Sequence, residues 1–271
     1  MRFGYCANLN FLLNGDEVSK AVFEAVLESR YDYIEMPLSA MLRISKEQYG
    51  DLKKRIEDAG VPCRGNFLLF PHEMTLVGPG LNLEEIREHA KKVLPIAKDL
   101  GSEVVIFGNG GSRRVREGMQ REAVFAQLSD IVKAVAPLAE EYKVQIAIEP
   151  LCSKETNMIN TYAEGVALAR EAGSAYMGTV CDWYHVATDG QDVAAILGDV
   201  DKLFHLHIAN PTGRLVPSRR DDPSQYAPFV DAVKRSGYDN KLSIEVGSPG
   251  DPSRILETVR EGLEAVRALF A

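Results

Sequence analysis

The chain reads as an α/β protein, a single (β/α)8 TIM barrel domain over residues 1–271, and three observations carry that reading. Eight short apolar runs alternate with long amphipathic segments from one end to the other. The length lies close to the roughly 250 residues typical of such barrels. No linker rich in Pro, Gly or Ser and no low-complexity segment divides the chain.

The expected strands are RFGYC (2–6), YDYIEM (31–36), PCRGNF (62–67), EVVIFG (103–108), VQIAIE (144–149), YMGTVCD (176–182), LFHLHI (203–208) and LSIEVG (242–247). Between them apolar residues recur at helical spacing, as in Val18, Val22, Ala25 and Val26, or Val93, Leu94, Ala97 and Leu100. Four of these segments, EDAGVP (57–62), KDLGSE (98–103), REAGSA (170–175) and KRSGYD (234–239), place a glycine just after the last apolar turn, where a left-handed residue ends a helix. A doubly wound open sheet could use the same elements, but no glycine-rich phosphate loop follows the first strand.

Composition narrows the function. The residues are 45% apolar and 26% charged, with a formal charge of −8 and no basic arm, so a nucleic-acid partner is not expected. No apolar stretch approaches the ~18 residues of a membrane span, and the N-terminal apolar run is too short for a secretion signal. Cys6, Cys63, Cys152 and Cys181 show no CxxC spacing and read as reduced thiols. A cytoplasmic enzyme acting on a small molecule is the expectation.

In a parallel barrel the strand C-termini and the loops after them form one mouth, where active sites are built. Glu35, Asn66, Gly108, Asn109, Glu149, Asp182, His207 and Glu245 occupy those positions. The last four fall on strands five to eight. Three carboxylates converging there would repel one another without a compensating cation, so Glu149, Asp182, His207 and Glu245 are read as ligands of one divalent metal ion. Three oxygens and one imidazole nitrogen suit Mn2+ best, with Mg2+ or Co2+ as alternatives and Zn2+ less suited. His205 shares the face of His207 at period two and reads as an inner-layer residue or a donor behind the ligands. Glu35 and His72 can reach the mouth or serve as structural residues.

IEPLCSKETNMINT (148–161), CDWYH (181–185), HLHIAN (205–210) and SIEVG (243–247) together resemble the xylose isomerase-like barrels, in particular the sugar isomerase/epimerase group that contains the ketose 3-epimerases. The resemblance runs over nearly the whole chain. It implies the same four metal ligands, with Glu149 and Glu245 also acting as the acid/base pair on opposite sides of a bound ketose. It further implies that Glu155 contacts substrate or supports the residues that do, that His185 contacts a substrate oxygen, and that Arg214 stands where those enzymes place a substrate arginine. Arg113 and Arg114, in GNGGSRRVREG (108–118), are candidates for holding substrate hydroxyls or a carboxylate. Family members are often homo-oligomers, dimers or tetramers. GYCANLNFLL and the loop at 65–80 depart from the aromatic-lined sugar pocket of the ketose epimerases.

The chemistry fits these residue types. A cation holding the carbonyl and the adjacent hydroxyl stabilises an enediolate where charge develops, so one carboxylate can remove a proton and the other return it from the opposite face. The alternatives are a dehydratase or lyase of the inosose or 3-dehydroshikimate type, which would expel a β-hydroxyl, and a sugar-binding barrel without chemistry. An endonuclease-IV-like repair enzyme would need more than five histidines and a basic face.

Overall fold

The computed structural model describes residues 1–271 and closes into a parallel barrel in sequence order. Its strands are β1 (Arg2–Cys6), β2 (Tyr33–Pro37), β3 (Cys63–Phe67), β4 (Val104–Phe107), β5 (Gln145–Ile148), β6 (Met177–Asp182), β7 (Leu203–Ile208) and β8 (Lys241–Ile244). The ring closes at the seam between β1 and β8, where Gly4 pairs with Ser243 and Tyr5 with Ile244.

The glycines expected to end helices do so. Gly60, Gly101, Gly173 and Gly237 all have positive φ, and Gly101 and Gly237 cap Leu83–Leu100 and Ala227–Ser236 directly. The helices pack their apolar stripes on the outside of the barrel. Inside, Val104, Ile106, Ala147, Val180 and Phe204 form a separate apolar plug beneath the mouth.

Two register shifts aim residues inward. On β7, Leu203 pairs with Thr179 but His205 pairs with Val180, so Phe204 is the extra residue of a bulge. Its ring fills the space beside Gly178, where a Cβ would lie 2.4 Å from it. Between β2 and β3 the shift falls at Ile34 and Glu35, with Arg64 as the extra residue.

One connection departs from the expected pattern. After β6 the chain forms only a short helix, Trp183–Thr188, then the 3-10 turns Val193–Gly198 and Val200–Lys202. Asp182 caps the start of the short helix, Gly190 at φ 62° follows its end, and Asp192 caps a fresh start as a 3-10 turn, so no long helix forms. No helix is long and apolar enough to cross a membrane, and all four cysteines are free.

Candidate active site

The ends of β5 to β8 bring together Glu149, Asp182, His207 and Glu245, each offering a ligand atom within 4.8 Å of the others. Glu149, Asp182 and His207 are buried, while Glu245 is partly exposed toward the mouth. Gly108, at the end of β4, makes room for this cluster. A Cβ there would lie 2.1 Å from Glu149 Oε2.

A hydrogen-bonded chain runs under the cluster. Tyr33 meets the Ser243 hydroxyl at 2.8 Å, and Ser243 donates to Glu35 Oε2 at 2.7 Å. His205 Nε2 lies 2.9 Å from Glu35 Oε2 and His207 Nε2 lies 3.3 Å from Glu35 Oε1. The other nitrogen of His207, Nδ1, faces Glu149 Oε1 at 3.0 Å and Glu245 Oε2 at 3.7 Å.

This arrangement fits a cation. Nδ1 of His207 between two carboxylates needs either a proton or a metal ion there. Asp182 spends Oδ1 on the backbone N–H of Tyr184, and its buried Oδ2 has no hydrogen-bond partner. Three carboxylate oxygens and one imidazole nitrogen match hard to borderline divalent ions.

The electrostatics follow from the same contacts. Burial and the neighbouring Glu149 charge push the Glu245 carboxyl up to about 6. Burial also opposes ionisation of Glu149, but its bond to His207 outweighs that and holds its carboxyl below the usual range. Burial disfavours the charged forms of Glu35 and His207 too. Attraction to His205 and then His207 wins at Glu35, lowering it well below its ordinary value, and attraction to Glu35 wins at His207, raising it well above.

Arg214 reaches the cluster from the loop after β7. It donates to Glu245 Oε2 at 2.5 Å and to Glu155 Oε1 at 3.0 Å, and its guanidinium carbon lies 4.9 Å over the Tyr184 ring. His185 is buried with Nδ1 accepting the Cys152 N–H at 3.2 Å, which leaves Nε2 facing Asp182 Oδ2 at 3.4 Å. Glu155, His185 and Arg214 are thus gathered at one side of the cluster.

Arg113 is a correction. It is fully buried, and its guanidinium donates to the carbonyls of Phe107, Glu149 and Ile159 at 3.3, 2.6 and 3.3 Å. These bonds hold the β4 and β5 loops together, and the side chain is enclosed by protein instead of facing the mouth. Arg114 likewise donates to the Glu155 carbonyl, and His72 is exposed. Asn66 and Asn109 are buried, and their amides donate to the carbonyls of Met36 and Phe70.

A family profile described as xylose isomerase-like TIM barrel matches residues 23–269. The chain belongs to that family. This xylose isomerase-like barrel is 26% identical over 229 residues to the L-ribulose 3-epimerase of Mesorhizobium japonicum, covering 80% of this chain and 72% of the relative. Its fold matches D-psicose 3-epimerase with D-tagatose from Clostridium cellulolyticum H10 at a TM-score of 0.80 and 18% identity, over 100% of this chain and 99% of the other. It matches the IolI protein with a binding zinc atom at 0.77 and 20% identity, over 100% and 98%.

Cys6 is the site residue that sequence reasoning missed, since its spacing marks no motif. Its Sγ lies 3.9 Å from His207 Nε2. Its position as the last residue of β1 was the available signal. A cavity of about 660 Å³ lies at the opposite end of this xylose isomerase-like barrel, beside Met1, Phe3, Tyr238 and Phe270. It gathers no comparable cluster, and strand C-termini are where barrels build their sites.

Proposed function

We propose that this chain is a divalent-metal-dependent sugar isomerase/epimerase of the ketose 3-epimerase type, with Mn2+ as the preferred ion. The observation that carries the proposal is the buried cluster of Glu149, Asp182, His207 and Glu245, in which two glutamates accompany an acid and an imidazole. The sequence relation to an L-ribulose 3-epimerase supports the substrate class, a small ketose.

When bound, a divalent cation supplies Lewis-acid polarisation of the ketose carbonyl and offsets the charge that develops there. Glu149 and Glu245 form the acid/base pair. One removes the proton from the carbon next to the carbonyl, and the other delivers a proton to the opposite face, which inverts that carbon. Asp182 and His207 complete the ligand set. Arg214, linked to both Glu245 and Glu155, orients substrate oxygens, and His185 presents Nε2–H on the same side.

The test is exchange of substrate C–H for solvent deuterium, followed by NMR over a panel of ketoses, aldoses and inososes with Mn2+ supplied. Exchange that chelator abolishes, with epimer resonances appearing, is the expected result. A dehydration product would move the assignment to a lyase, and absence of exchange across the panel would refute the proposal.

A further inference from the structure

We infer that Glu35 is a positioning residue that fixes the tautomer and ring orientation of His207 for metal binding. The inference rests on the proposed metal site and deepens it. Glu35 lies on β2, across the barrel from β7, and its side chain is fully buried. A buried carboxylate is costly without donors. Here it accepts from Ser243 and faces Nε2 of both His205 and His207.

An ionised carboxylate has only acceptor sites, so the imidazole nitrogen facing it carries the hydrogen. When His207 is the neutral ring that a metal ligand must be, its one proton therefore lies on Nε2. Its Nδ1 lone pair is left for the side where Glu149 and Glu245 converge. The reversed tautomer would place an N–H where a metal must bind and a lone pair against Glu35. The bulge at Phe204 and the shift at Glu35 bring these two strands' side chains into this register.

A glutamine at position 35 keeps the shape but substitutes a donor for one acceptor oxygen. Oε1 faces His207 and Oε2 faces both Ser243 and His205, so the new N–H meets either His207 or the other two donors, and an acceptor opposite His207 is no longer assured. Partners of this kind behind a metal-bound histidine typically account for about 10- to 100-fold in metal affinity.

The experiment titrates Mn2+ alone into the metal-free full chain by calorimetry, comparing wild type with Glu35→Gln and Glu35→Asp. A loss of about 10- to 100-fold in affinity for Glu35→Gln, with partial recovery in Glu35→Asp, is expected. In parallel, 15N-histidine NMR of wild type loaded with Mg2+ reads the tautomer directly. A proton on Nε2 of His207 is expected, and this readout stands even where a variant does not fold. Unchanged affinity in Glu35→Gln, or a proton on Nδ1 in the loaded wild type, overturns the inference while leaving the metal site intact. Wild type that binds no divalent ion overturns the proposed function itself.

Discussion

Gly108→Ala is expected to disable the site while leaving the barrel folded. The new Cβ would stand 2.1 Å from Glu149 Oε2. A carbon and an oxygen in contact keep about 3.3 Å, so that oxygen must retreat by about 1 Å. The obstructed atom is the far end of a flexible side chain, and Gly108 has no positive φ. The backbone therefore tolerates alanine, and the penalty falls on the position of Glu149.

A displacement of about 1 Å at a reacting group can cost about 100-fold in rate, or about 2.7 kcal/mol of barrier. Turnover by the deuterium-exchange assay should fall by about that factor, with the melting temperature within a few degrees of wild type. Gly111→Ala, in the same loop but with nothing within 4 Å of its Cβ, is the matched control and should retain turnover. Activity of Gly108→Ala within about threefold of wild type would refute the placement of Glu149 at the chemistry.

Asp182→Asn should fold, because asparagine also caps the helix after β6, yet it should lose the rise in melting temperature expected of wild type with Mn2+, worth about 2.7 kcal/mol at a hundredfold excess over Kd. Arg113→Met should lower unfolding free energy by about 3 kcal/mol in urea titrations, since three buried carbonyls lose their donor; a substrate-binding arginine would instead raise KM at unchanged stability. Glu103→Gln should cost about 1 to 2 kcal/mol, less than a fully buried pair because Glu103 is partly exposed, by removing the negative charge that Lys241 and Arg2 share. Burial opposes ionisation of Glu103, but Arg2 and Lys241 hold its carboxyl down to about 2 against an ordinary 4.5. The wild-type advantage is thus fully present above pH 4.5 and should shrink as pH falls toward 2, as denaturation at several pH values would read.

The strands were legible because a parallel barrel buries both faces of each one. RFGYC and LFHLHI were located to the residue, and YDYIEM began two residues early because Tyr31 packs its ring on Tyr5 before β2 starts. The segment after β6 was not legible as broken helix. Its apolar residues keep a helical cadence, and it is Gly190 and the capping Asp192 that interrupt it.

The site divides along a physical line. Strand direction alone places Glu149, Asp182, His207 and Glu245 at one mouth, because every parallel strand delivers its last residue to the same end. What a charged side chain does there depends on neighbours remote in sequence. Arg113 and Arg214 both follow glycines in basic loops, yet one turns inward onto carbonyls and the other lies among carboxylates. Glu35 stands 172 residues from His207, and no spacing rule joins them. Residue type and strand end therefore identify which groups can do chemistry, while barrel closure decides which of them meet.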